Sequence, residues 1–331
     1  MSQDPIRLQG IEGFHVGGHA RLLDGFPPGL RFQNNGHHMV GQMYVQFFRV
    51  AEPCTSIPLA LWHGGGMTGA SWENTPDGRP GWLDQFLRAG FSVALCDAFE
   101  RGRASLPPHP QAFDGVAEYR TLDSIWHHFR FGPELPDPAG FLQDDLRRLA
   151  YERQQFPVEH AEQFGRQFVP RFVDSDDEAL AAYDAFLERM VRCAVIGHSQ
   201  GGVFAVRSAL ARPERIASVV ALEPSLGEDC LQRLLEAPDV ELPPHLFVFG
   251  DFIRDCNATW SAYLRTTELY CEELIRRGVP VRLIELPRCG IRGNSHMLQM
   301  DANHLEIAAL VEDWLLNALS DRLKARTPTP R

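Results

Sequence analysis

The chain has 331 residues, 44% of them hydrophobic, enough for one large α/β domain or two small ones. With 32 Lys and Arg against 43 Asp and Glu, the formal charge of -11 favours solubility and works against attraction to phosphate backbones, so nucleic acid is not an expected partner. The start, MSQDPIRLQG, lacks the basic-then-apolar pattern of an export signal, and no run of about 18 apolar residues marks a membrane span. A cytoplasmic protein with no membrane partner is therefore expected. Cys54, Cys96, Cys193, Cys230, Cys256, Cys271 and Cys289 are odd in number and lack C-x-x-C spacing, which signals neither a disulfide framework nor a zinc site.

Short apolar runs follow one another along the chain: MYVQFFRV (43–50), IPLALWH (57–63), FSVALCD (91–97), CAVIGH (193–198), ASVVALE (217–223), HLFVFG (245–250) and VRLIELP (281–287). Most are too short for helices and rich in Val, Leu, Ile and Phe, as strands buried on both faces are. Helical patterns lie between them at 81–90, 200–211, 260–278 and 303–319. This alternation predicts an α/β fold with a mainly parallel, doubly wound sheet. It breaks once, between about Ala104 and Arg192, where Pro-rich turns accompany two further helical patterns, FLQDDLRRLAYERQQF and SDDEALAAYDAFLERM. The expected organisation is a core of 1–105 and 192–322, a helical cap inserted at 106–191, and a frayed tail at 323–331.

The fourth run leads into Gly197-His198-Ser199-Gln200-Gly201, a G-x-S-x-G placed between a strand and a helix. That context is the nucleophile elbow: a sharp turn exposes the serine at the carboxyl end of the sheet, and glycines are needed where a side chain would strike neighbouring backbone. A serine needs a base to take its proton, and a tetrahedral intermediate needs N–H donors. The donors are expected in LWHGGGMTG (61–69), after an earlier strand: the amide of Gly65, with Gly66 beside it, together with the amide of Gln200. The base is expected after the last strand, where His296 in GNSHMLQMDANH fits; His304, at the start of the final helical pattern beside Asn303, reads as a capping or surface residue. No H-E-x-x-H or similar metal-ligand spacing is present, and the chemistry calls for no cofactor.

Two carboxylates end strands between serine and histidine, Glu223 and Asp251. Position in the chain favours Asp251, whereas a buried Glu223 would be costly without a partner and Asp251 can satisfy itself in a turn. The residues alone leave both open. Arg101 and Arg103 in CDAFERGRAS could meet a substrate carboxylate, with a structural tie as the preferred role, and Met67 and Trp72 are candidate pocket walls.

The stretch LWHGGGMTGASWENTPDGRPGWLDQFLRAGFSVALCDAFERGRAS, IGHSQGG with VVALEPS, and GNSHMLQMDANHLEIAALVEDWL together resemble a group of bacterial α/β-hydrolase carboxylesterases with a Ser-Glu-His triad. The resemblance spans both halves of the core but not the cap. It implies an α/β-hydrolase fold, Ser199 as nucleophile, Glu223 as acid and His296 as base. One departure stands out: members of that group carry two adjacent cysteines where this chain has Gly65 and Gly66. Dimers occur among its members, so a homodimer is implied by the resemblance alone. The expected function is hydrolysis of a small-molecule carboxylic ester through an acyl-enzyme. The alternatives are a non-catalytic receptor on the same fold, or a lactonase, thioesterase or amidase using the same triad.

Overall fold

The structure, a computed structural model, describes residues 5–29, 31–113, 115–135, 145–254 and 256–326. All seven expected strands form. They are β2 (Gly36–Val50), β3 (Leu59–Trp62), β4 (Val93–Asp97), β7 (Cys193–His198), β8 (Ile216–Leu222), β9 (His245–Phe249) and β10 (Val281–Glu285). An eighth, β1 (Leu8–Leu23), pairs antiparallel with β2 at the sheet edge. Its residues are mostly exposed and interrupted by glycines, so it carries no buried apolar run to mark it. The sheet order is β1-β2-β4-β3-β7-β8-β9-β10, antiparallel across the first three strands and parallel from β4 onward.

Strand alternation sorts the core into two layers. Trp62, Val195, Val219, Ala221 and Phe247 face one side, against α5 (Asp176–Met190), α6 (Gln200–Ala211), α7 (Glu228–Glu236) and α8 (Ala258–Arg276). Leu61, Leu95, Ile196, Val220 and Leu222 face the other, against α1 (Trp82–Arg88) and α9 (His304–Arg326). α9 runs past the expected core limit at 322, because helix-forming residues continue and the first helix breaker is Pro328. The expected tail therefore divides at Arg326, and 327–331 lie outside the described residues.

The inserted interval differs most from expectation. It holds β5 (Ala117–Glu118) paired with β6 (Arg171–Phe172), and the short helices α2 (Leu122–His128), α3 (Leu146–Leu149) and α4 (Ala161–Gly165). The helix expected over FLQDDLRRLAYERQQF is only the four residues of α3 where it is described, since its first four residues, 141–144, lie outside. Beyond α3 the backbone bonds go elsewhere: Tyr151 N donates to Phe131 O at 3.0 Å and Gln155 N to Gly293 O at 2.8 Å. The second pattern does form α5, and its Ala182, Tyr183 and Phe186 pack into the core beside Trp62 and Phe204. The last part of the interval is thus a layer of the sheet's cover.

Candidate active site

The elbow has the strain that its sequence requires. β7 ends at His198, Ser199 turns with φ 51° and ψ -118°, and α6 starts at Gln200. A Cβ on Gly197 would collide with the backbone of Gly201, and one on Gly201 with the carbonyls of Trp62 and His63. The next strand ends in the same way: Glu223 follows β8 with φ 49°. Both turns stay tied to the ladder, with Ser199 N donating to Leu222 O at 2.9 Å and Glu223 N to Val248 O at 2.8 Å. Nucleophile candidate and acid candidate therefore leave adjacent strands at the carboxyl end of the sheet.

His296 lies buried on the loop after β10 and presents Nδ1 to Glu223 Oε2 at 3.4 Å. With that nitrogen protonated toward the carboxylate, Nε2 is the basic one. Its ring is held by Trp260 at 4.3 Å, His198 at 4.6 Å and Phe129 at 4.8 Å between centroids. His198, the residue before the serine, donates through Nε2 to the His296 carbonyl at 2.9 Å, so the elbow and the histidine loop are joined directly. Among the described residues Ser199 Oγ makes no direct hydrogen bond to His296. Burial holds His296 well below the ordinary imidazole value, reinforced by His198 and Arg130. Burial raises the Glu223 carboxyl, against the opposing pull of Arg130 and the Gly250 amide.

Asp251 has different partners. Its Oδ1 accepts from Phe252 N at 2.8 Å and its Oδ2 from Gly293 N at 2.9 Å, which braces the loop leading to His296. Asp301 does the same from the other side, accepting from Ser295 N and Oγ and from Asn294 Nδ2. His304 is not exposed: it is buried at the first turn of α9, its carbonyl accepts from Trp82 Nε1, and burial lowers it to about 4. The expectation of a surface residue there fails because α9 packs its first turn against α1.

Gly64, Gly65 and Gly66 follow β3 and are buried beside the elbow; a Cβ on Gly64 would sit 3.2 Å from Ser199 Cβ. His63 sets this loop, Nε2 accepting from Ala98 N at 3.1 Å, which leaves Nδ1 to donate to Gly64 O at 2.9 Å. Among the described residues the amides of Gly65 and Gln200 donate no hydrogen bond within the chain. Gly66 adopts φ 73°, and its carbonyl accepts from Val169 N at 3.0 Å.

Ser199, Gln200 and Gly65 line a cavity of about 330 Å³ together with Arg120, Arg171, His128 and Trp260. Met67 and Trp72 do not line it. Met67 packs among Phe129, Met297 and the aromatic rings of the insertion, and Trp72 lies under the sheet against Trp82. Arg101 pairs with Glu100 and donates to Pro170 O at 3.5 Å, and Arg103 pairs with Asp97 at 2.7 Å and donates to Gln46 Oε1 at 2.6 Å, so both tie the segment after β4 to its neighbours.

Sequence reasoning missed Arg130. It comes from the insertion, just after α2, is 1% exposed, and donates through Nη2 to Glu223 Oε1 at 2.6 Å and through Nε to Asp251 O at 2.8 Å. An arginine in HHFRFG carries no local signal of such a role, because its partner lies 93 residues away.

No family model matches the chain. It is 27% identical to a protein named probable secreted lipase phiG, from a fungal species (strain ATCC 74256), over 82% of this chain and 85% of that one. A solved structure described as a novel bacterial esterase superposes with a TM-score of 0.82 at 27% identity, covering 96% of this chain and 98% of that one. Sheet order, the strained turn after β7 and this superposition make the chain an α/β-hydrolase-fold protein similar to that bacterial esterase.

Proposed function

We propose that this protein is a serine esterase that cleaves carboxylic esters through an acyl-enzyme, with Ser199 as nucleophile, His296 as base and Glu223 as the acid that orients it. The observation that carries the reading is the Glu223 Oε2 to His296 Nδ1 contact beside a serine held at φ 51°. His296 Nε2 takes the Ser199 proton as Oγ bonds to the ester carbonyl carbon, and Glu223 stabilises the imidazolium that forms. The carbonyl oxygen becomes an oxyanion received by the amides of Gly65 and Gln200, with Gly66 as a further candidate. Collapse expels the alkoxide, which leaves with the proton from His296. Water then attacks the acyl-enzyme by the same route, releasing the acid and restoring Ser199.

The unpartnered Gly65 and Gln200 amides and the likeness to the bacterial esterase both support this reading. We read the part of 106–191 that precedes α5 as the cap, because α5 itself lies on the sheet. Among the described residues no helix is long and apolar enough to cross a membrane. All seven cysteines are free thiols, with Cys54, Cys256 and Cys289 exposed, which supports a reducing, cytoplasmic setting. The test is labelling by a fluorophosphonate with intact-mass detection. Wild type gains one adduct, mapped to Ser199, and Ser199→Ala gains none; labelling that survives in Ser199→Ala overturns the proposal.

A further inference from the structure

The cavity at Ser199 carries more positive charge than its own acids balance. Arg207 is neutralised by Asp176 and Asp229, and Asp176 also accepts from Gln200 Nε2 at 3.0 Å. Arg120 and Arg171 are not matched in this way. They come from the β5–β6 ribbon and its exit, and the ribbon's approach to the glycine loop is anchored by the Val169 N to Gly66 O bond. Arg120 donates through Nε to Gly65 O at 3.0 Å and stacks over Phe129, yet among the described residues it has no ion pair. Arg171 has one acid within ion-pair distance, Glu118, at 3.8 Å and itself 60% exposed; the buried Glu100 also feels its charge but is already paired with Arg101 at 2.9 Å. Among the described residues the Nη donors of both arginines lack an acceptor from the protein.

Both guanidinium groups converge on one residue. A Cβ placed on Gly65 would lie 2.7 Å from Arg171 Nη1 and 3.6 Å from Arg120 Nη2, and one on Gly66 would lie 2.8 Å from Arg120 Nε. The two glycines therefore leave the space that the guanidinium groups fill, directly beside the Gly65 amide. Two cations held this close repel one another, and burial together with Arg171 lowers the affinity of Arg120 for its proton. An anion between them relieves that repulsion and fills the open Nη donors, and a planar carboxylate matches the guanidinium fork.

We propose that the ester cleaved at Ser199 carries a free carboxylate, which Arg120 and Arg171 bind beside the oxyanion position. This rests on the esterase reading above and narrows its substrate class. The carboxylate could belong to the acyl part, as in a dicarboxylic monoester, or to the alcohol. The experiment uses one matched pair for each. Mono-4-nitrophenyl glutarate is compared with 4-nitrophenyl valerate, and 4-acetoxybenzoate with phenyl acetate, each kcat/KM being divided by the ester's rate with hydroxide.

The expected result is a preference of roughly 10- to 100-fold for the anionic member of one pair, the size that charge-assisted hydrogen bonds supply. The preference shrinks as salt rises and falls at least severalfold in Arg171→Gln. Independently of any variant, free glutarate competes with 4-nitrophenyl valerate for the wild-type enzyme. No preference in either pair, or one that Arg171→Gln leaves intact, overturns the proposal while leaving the esterase standing. A folded protein that hydrolyses none of the four esters and takes no fluorophosphonate label takes down the esterase reading and this inference together.

Discussion

Arg130 Nη2 lies 2.6 Å from Glu223 Oε1, and both side chains are at most 1% exposed. The other carboxylate oxygen of Glu223 faces His296 at 3.4 Å. One buried carboxylate is thus shared between a cation from the insertion and the imidazole of the core. A lone carboxylate there would be too costly to keep ionised, and Arg130 offsets that cost in the site where an anion is useful.

Arg130 is accordingly a positioning residue. Arg130→Gln leaves Glu223 without its counter-charge and is expected to destabilise the fold by about 3–5 kcal/mol, the usual cost of breaking a buried pair. In the fraction that folds, kcat falls and the acid limb of the pH profile moves upward, because one of the charges that hold His296 neutral is gone. Arg130→Lys should restore part of both. An unchanged pH profile in Arg130→Gln would reduce its role to packing.

Glu223 and Asp251 separate by substitution. Glu223→Gln removes the charge that stabilises the imidazolium and is expected to lower kcat by about 10³- to 10⁴-fold. Asp251→Asn loses the bond to Gly293 N but keeps an acceptor for Phe252 N, so the loss is about 1 kcal/mol and less than about tenfold in rate. Rates on a 4-nitrophenyl ester decide the matter. Equal losses in the two variants would return Asp251 to candidacy.

The pH dependence follows from burial. His296 acts as a base only when neutral, and its surroundings hold it well below the usual imidazole value. As pH falls through about 6.5, where an exposed histidine gains its proton, His296 stays neutral. The kcat/KM for an uncharged ester should therefore remain level past that point and decline only at lower pH. A limb centred at or above about 6.5 in the wild type contradicts this.

Two glycines test the elbow packing. In Gly201→Ala the new methyl meets the carbonyls of Trp62 and His63, which are backbone and cannot step aside, and a loss of about 3 kcal/mol is expected. Gly78→Ala provides the control: its φ of 85° is strained for alanine, but nothing lies within 4 Å, so about 1–2 kcal/mol suffices. Urea denaturation of the two variants gives the comparison directly. Equal midpoints would mean that steric contact at the elbow is not what demands glycine.

Much of this arrangement was legible in the chain itself. Five strands, β3, β4, β7, β8 and β9, announced themselves because strands buried on both faces read as unbroken apolar runs, and β2 and β10 by shorter apolar patterns; the serine announced itself because only glycines tolerate that turn. β1 did not, since an exposed edge strand has no such run. Proximity across long separations was also invisible. The choice of Glu223 as the partner of His296 came from family likeness; the adjacency of β8 to β7 sets the carboxylate beside the serine, and the loop after β10, held to His198 through the His296 carbonyl, brings the imidazole to it. Arg130, Arg120 and Arg171 had no pattern at all. Charge on the insertion acquires meaning only when the chain folds back over the sheet, placing guanidinium groups against a buried acid and two bare glycines, contacts that local composition does not encode.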